Sequence, residues 1–291
     1  MPRILIAGCG YVGEATADLF HSNGWEVEGW VHSTESAARL SLKPYSIQAI
    51  DITRRDDVLK GAGAFDAVIH CASSRGGDAE AYGEIYLNGA RHLLETFSKA
   101  KVMFTSSTSV YAQREGSWVT EESETKPIRE TSRILLEVEE LLLKKSGIIA
   151  RLAGIYGPLR SAMLSKFLNG TATIDANKDR FVNQVHRDDI ASALFLLLDG
   201  EAQTSAQIYN VVDDQPLLQT ECYVWLAKRL NRTLPPATNS EQPGKRGNTN
   251  KRVSNAKLHQ LGWRPAYPTF IDAMEKSILP SFAGIIADAS H

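Results

Sequence analysis

The stretch "RILIAGCGYVG" (residues 3–13) runs from one kind of local order into another. "RILIAG" is a β-branched and leucine run that stops on glycine, the pattern of a buried strand. From Val12 onward, apolar positions Val12, Ala15, Leu19 and Phe20 recur at helical spacing until Asn23-Gly24 closes the helix. Between the two stand Gly8, Gly10 and Gly13 in a Gly-x-Gly-x-x-Gly arrangement. In such a turn the first glycine permits a tight bend. The second lets a pyrophosphate approach the backbone, and the third lets helix and strand pack closely. The helix start at Tyr11 and Val12 then offers unpaired N–H groups and a positive dipole end to phosphates. A bound dinucleotide is the expected consequence. A tight βα turn that binds nothing uses the same glycines.

Outward from this point the alternation continues. "WEVEGWV" (25–31), "YSIQAI" (45–50), "DAVIHCAS" (66–73), "KVMFTSS" (101–107) and "IIARLAG" (148–154) read as strands. Helical patterns separate them, including a long one at about 79–99 and one carrying Ile134, Leu135, Val138, Leu141 and Leu142. Strands alternating with helices imply right-handed crossovers and one parallel sheet covered on both faces, an α/β doubly wound fold of Rossmann type. Farther on, "DDIASALFLLLDG" (188–200) reads as a helix with Asp188 at its cap, and "IYNVV" (208–212) as a returning strand. Pro, Gly and Asn break the pattern between Gly157 and Val185 and again after Asp213, and 231–252 reads as a mobile polar loop. The expected organisation is a dinucleotide-binding domain, 1–156 and 186–212, and a smaller discontinuous substrate lobe, 157–185 and 213–291.

Composition narrows the partners. The 291 residues are 43% apolar and 23% charged with a net charge of −2, so neither nucleic acid nor a membrane surface is expected to attract the chain. The apolar runs are too short to cross a bilayer. Three separated cysteines, Cys9, Cys71 and Cys222, form no even-numbered framework and no paired metal-ligand spacing. "MPRILIAGCG" lacks the features of a signal peptide. The expectation is a cytoplasmic protein, a monomer or homodimer, acting on a small molecule.

Sites that prefer NAD carry an acidic residue about 20 positions beyond the glycine loop, bonded to the ribose 2′-hydroxyl. At the end of the second strand this chain has "VHS" (31–33), so His32 and Ser33 stand there as donors, and Arg39 follows within the next turns. Donors and a cation suit a 2′-phosphate, so NADP is the expected cofactor ahead of NAD. The same residues also suit the cap and first turns of a surface helix.

Taken together, the ordered segments resemble the extended short-chain dehydrogenase/reductase superfamily, the group of nucleotide-sugar epimerases and dehydratases. The segments are "GCGYVG", "AID" (49–51), "DAVIHCAS", "YLNGARHLL" (86–94), "TSSTSVYA" (105–112), "RLAGIYGP" (151–158), "VHRDDIA" (185–191), "YNVVDDQP" (209–216) and "KRVSNAKLHQLGWRP" (251–265). The resemblance implies that Asp51 and Ile52 edge the adenine, and that Cys71, Ala72, Ser73 and Thr105 line the cofactor. It implies that Asn88 braces the central helix and that Ser107 hydrogen-bonds a substrate oxygen. Tyr111 would belong to a structural turn. Substrate contacts would come from Tyr156, His186 and Arg187, each with a competing structural role. Lys245, Arg246, Lys251 and Arg252 would meet a diphosphate or form a solvated basic loop.

One departure stands out. Members of this group carry Tyr-x-x-x-Lys on the helix after the serine. Alignment on Pro127 and Glu139 puts Thr131 at the tyrosine position and Leu135 at the lysine position, and no tyrosine lies between Tyr111 and Tyr156. A phenol of pKa about 10 can be tuned to relay protons near neutrality. An aliphatic hydroxyl such as that of Thr131 hydrogen-bonds but is a poor acid, and losing a positioned acid forfeits about 10²–10⁴ in rate. Two functions fit: an NAD(P)-dependent epimerase, dehydratase or reductase with a non-standard proton relay, or a non-catalytic NAD(P)-binding sensor.

Overall fold

The computed structural model describes residues 1–74, 76–175, 178–200, 204–238 and 249–288. Contacts divide the chain into two units, Met1–Val110 with Lys126–Leu152 and Ile190–Tyr209, and Tyr111–Thr125 with Ala153–Asp189 and Asn210–His291.

The first unit holds the five strands β1 (Arg3–Ala7), β2 (Glu26–Val31), β3 (Ser46–Ala49), β4 (Ala67–His70) and β5 (Lys101–Ser107). With Ile148–Leu152 and Ile208–Val211 they form a seven-stranded sheet in the order Ile208–Val211, Ile148–Leu152, β5, β4, β1, β2, β3. The doubly wound parallel fold expected from the alternation is present. In β1, Ile4, Leu5, Ile6 and Ala7 are all fully buried, which a strand achieves only when both faces of its sheet are covered. The chain builds from β1 to β3 on one side and then returns to add β4 and β5 on the other. That reversal opens a gap at the carboxyl ends of β1 and β4, the position where such sheets bind ligands.

Helices α1 (Tyr11–Ser22), α2 (Thr34–Arg39), α3 (Arg55–Lys60), α4 (Ala79–Tyr82), α5 (Gly89–Thr96) and α6 (Glu130–Leu143) make the connections. The long helix expected at 79–99 is helical from Ala79 to Thr96 but has a π-helical segment, Gly83–Asn88, in its middle. Trp30, Phe20, Phe104 and Met103 fill the core.

The second unit is built from short ladders. Gly154–Tyr156 pairs with Gln184–His186, and Ser117–Val119 pairs with Lys251–Val253, both in parallel. The latter ladder ties 111–125 into this unit. Its core gathers Tyr156, Leu164, Phe167, Cys222, Leu226, Phe270 and Met274. Part of the polar stretch expected to be mobile, 239–248 within 231–252, lies outside the described residues, and Lys245 and Arg246 lie in that part. Among the described residues, no helix is long and apolar enough to cross a membrane.

Candidate cofactor and active site

The three glycines of the first turn have different neighbours. Gly8 adopts φ +104°, and a Cβ there would lie 2.2 Å from Ala72 N. A Cβ at Gly13 would lie 2.2 Å from Gly8 O. A Cβ at Gly10 would meet nothing within 4 Å. Protein packing therefore accounts for Gly8 and Gly13 and leaves Gly10 unexplained from inside the molecule. Gly10 is also the N-cap of α1, with no side-chain cap, so Tyr11, Val12 and Gly13 begin a helix whose positive end is not covered by a capping group. Cys9 beside them is buried, and burial, with Glu14 and Asp18, pushes its thiol up to about 12. It behaves as a small apolar side chain.

At the end of β2, His32 is 81% exposed and its Nδ1 lies 3.7 Å from Asp51 Oδ1. Ser33 caps α2: its Oγ accepts from Ser36 N at 3.2 Å and donates to Ser36 Oγ at 3.1 Å. Arg39 Nη2 donates to the same Ser36 Oγ at 3.0 Å. Ser36 thus gathers the expected hydroxyl and the expected cation, a role its sequence position alone did not signal. Asp51 Oδ1 accepts from Thr53 N and Thr53 Oγ1 at 3.0 and 2.7 Å. Ile52 is buried, facing Gly89.

Beyond β4, Cys71 N donates to Ala7 O at 2.8 Å, which holds Cys71, Ala72 and Ser73 beside the glycine turn. Burial pushes the Cys71 thiol up to about 12. Thr105 Oγ1 donates to His70 O at 3.1 Å, so this hydroxyl links the ends of β4 and β5. Asn88 bonds within its own helical segment, donating to Glu84 Oε1 at 3.1 Å. Ser107 Oγ accepts from Ser109 N at 3.1 Å, and its own O–H donates to no group among the described residues. An uncommitted O–H at a strand's carboxyl end is what a substrate-binding hydroxyl requires.

On α6, Thr131 is half-buried and its hydroxyl makes no hydrogen bond among the described residues. Leu135 is buried. Its neighbour Ser132 donates to Ser109 Oγ at 3.2 Å, joining α6 to the turn after β5. Deeper, Ser106 Oγ donates to Glu139 Oε1 at 2.6 Å, and Arg151 Nη2 donates to Glu139 Oε2 at 2.6 Å. None of Ser132, Ser109, Glu139 or Arg151 is a site candidate from sequence. Their only signal was charge or hydroxyl at otherwise apolar positions.

The candidate substrate residues lie in the second unit. Tyr156 is fully buried and its hydroxyl donates to Asp213 Oδ2 at 3.4 Å. Burial raises the pKa of both groups, keeping Asp213 protonated well above the usual carboxylate range. His186 is also fully buried, with Nε2 at 2.9 Å from Ser277 Oγ and its ring 3.9 Å from that of Tyr267. Burial lowers its pKa to about 4. Arg187 donates to Asp188 at 2.9 Å and keeps part of its side chain exposed. Asp188 sits in the first turn of the helix Arg187–Asp199 rather than before it. Lys251 is buried and donates to Tyr111 O at 2.8 Å, and Arg252 lies over the rings of Trp118 and Phe181. The solvated loop expected at these two positions is a packed ladder instead. Tyr111 is buried, its hydroxyl bonded to Asn210 Oδ1 at 2.8 Å.

Residues 4–211 match the model of the NAD dependent epimerase/dehydratase family. Protein YeeZ of Escherichia coli is 29% identical over 280 residues, covering 92% of this chain and 97% of its own. A Methylobacillus flagellatus structure, provisionally assigned as an NAD-dependent epimerase/dehydratase, is 27% identical with a TM-score of 0.77, covering 100% of this chain and 99% of its own. The Thermus thermophilus UDP-glucose 4-epimerase in complex with NAD shares the fold, with a TM-score of 0.80 at 20% identity over 97% of this chain and 99% of its own.

Proposed function

The chain belongs to the NAD dependent epimerase/dehydratase family, and from that premise we propose that it binds a nicotinamide dinucleotide, NADP(H) ahead of NAD(H), and acts on a sugar nucleotide or small carbonyl compound. The observation that carries the reading is the bare face of Gly10, where a side chain would meet open space, whereas a Cβ at Gly8 or Gly13 would come within 2.2 Å of backbone atoms. A pyrophosphate fits that gap, against an uncapped helix start. Cys71, Ala72, Ser73 and Thr105 extend the line toward the nicotinamide side, and Asp51 and Ile52 lie toward the adenine. His32, Ser33, Ser36 and Arg39 supply hydroxyls and positive charge for a 2′-phosphate.

When bound, the dinucleotide supplies hydride transfer. The chain's own part is to orient and to manage a proton. Ser107 keeps an O–H able to hold a substrate oxygen. Thr131 adds a hydroxyl that orients but does not protonate efficiently. Arg187, the partly exposed member of its trio, is the candidate for a substrate phosphate.

A second reading, a dinucleotide sensor without catalysis, draws support from Leu135, buried where the alignment expects a lysine. NAD(P)H oxidation against a panel of carbonyl compounds and nucleotide sugars separates the two. Turnover that Ser107→Ala lowers at least about 100-fold supports the enzyme. Turnover untouched by Ser107→Ala contradicts this placement of the active site. Binding without turnover on any substrate favours the sensor.

A further inference from the structure

The helix Gln219–Leu230 of the second unit turns Cys222, Tyr223 and Leu226 into the core. A second face of it lines a groove of about 380 Å³. Leu217, Val224, Trp225 and Ile271 make the walls of this groove almost entirely apolar, and Val224 is 50% and Ile271 40% exposed. Exposed apolar side chains scattered singly need no explanation, but several sharing one concave surface mark a place where something docks. Glu221 and Lys228 line the same groove, about two helical turns apart, with Val224 and Trp225 between them.

Neither charge is used up inside the chain. Glu221 accepts from Leu218 N through Oε2 at 2.7 Å, and its Oε1 has no hydrogen-bond partner among the described residues. The Lys228 ammonium has no partner there either, whereas its neighbour Arg229 is held by Glu275 at 2.7 and 3.1 Å. The helix dipole favours an acid in the first turn and a base in the last. It gives no reason for the apolar strip between them.

A two-fold axis does. Positions 221 and 228 are symmetric about the point between 224 and 225. A second copy laid antiparallel on this face therefore sets Glu221 against Lys228 of the partner subunit and Lys228 against the partner's Glu221. Val224 then meets the partner's Trp225 at the centre. Such self-complementarity is what an isologous contact between identical chains requires. We propose that this face joins two copies of the chain, with acid and base matched at both ends of an apolar centre. The dinucleotide reading does not enter into it. One helix face with its flanks belongs to the weak class of specific interfaces, below about 1,200 Å² in total, so the dimer dissociates on dilution.

Sedimentation velocity of the full chain between about 1 μM and about 1 mM tests this. The parent is expected to pass from monomer to dimer over that range, and less completely in high salt, which screens the end charges. Val224→Glu puts a carboxylate at the apolar centre and should raise the dimer Kd at least about 100-fold. Lys228→Glu alone and Glu221→Lys alone oppose like charges at both ends, and each should raise it about tenfold. The double variant restores opposite charges in reversed order and should return to within about threefold of the parent. Melting curves check that every variant is folded. A parent that stays monomeric throughout, a dimer that Val224→Glu leaves intact, or a double variant no tighter than the single ones overturns the proposal.

Discussion

Arg151 and Glu139 form an ion pair at 2.6 Å with side chains only 4% and 3% exposed. The pair lies under the carboxyl end of β5, because Glu139 also accepts the Ser106 hydroxyl at 2.6 Å. Two charges held out of water persist only when each is matched and hydrogen-bonded. The helix that carries Thr131 is thereby tied to the strand that presents Ser107.

Removing one partner strands the other. Arg151→Ala should lower the unfolding free energy by about 3–5 kcal/mol, whereas replacing both residues by apolar ones of similar volume should cost far less. Urea unfolding of the two variants measures this. A single variant as stable as the parent contradicts the account of the pair.

His70 sets a pH dependence. Burial lowers its pKa to about 4, and its Nδ1 has no partner among the described residues. The unfolded chain titrates near 6.5, so it binds more protons than the folded chain between about 6.5 and 4. The stability due to neutral His70 is complete above that window and is lost as pH falls through it, by about 3 kcal/mol. His70→Gln should flatten the dependence by that amount in urea titrations between pH 7 and 4. An unchanged slope would show that His70 is not the group responsible.

Ser36 holds Arg39 within hydrogen-bond distance. If that cluster meets a 2′-phosphate, Arg39→Ala should weaken NADP(H) at least about tenfold, the scale of one charged hydrogen bond, and leave NAD(H) within about twofold. Calorimetry with both cofactors decides. Equal losses for both would place Arg39 elsewhere in the binding process.

Leu135 is 3% exposed. Leu135→Lys introduces an ammonium there and should destabilise the ligand-free protein by about 2 kcal/mol or more. If position 135 faces the ribose as the alignment implies, saturating dinucleotide should raise the variant's melting temperature more than the parent's. The same increment in both would remove position 135 from the cofactor site.

The strands were legible because β1, β4 and β5 are short apolar runs ended by glycine or polar residues, and burial on both faces leaves that mark. The glycine turn was legible because its spacing is local and Gly13 is crowded by Gly8 O within the same turn, whereas the backbone that crowds Gly8 arrives from Ala72 after β4. What escaped depends on distance in sequence. Glu139 reads as one more charge on an amphipathic helix until Arg151 arrives beside it from the next strand. Ser117–Val119 pairs in the second unit with Lys251–Val253, more than a hundred positions later. The π-helical turn at Gly83–Asn88 leaves no period of its own, so it reads in the sequence as an ordinary helical pattern.

The central claim is that the open face of Gly10 receives a pyrophosphate, and titration of NADP(H) and NAD(H) into the parent and Gly10→Val tests it most directly. A Cβ at Gly10 would meet no protein atom within 4 Å, so the variant should remain folded, which its melting temperature checks. The account predicts saturable binding to the parent, tighter for NADP(H), and none to the folded variant. Parent protein that binds neither cofactor, or a variant that binds as well as the parent, would contradict it.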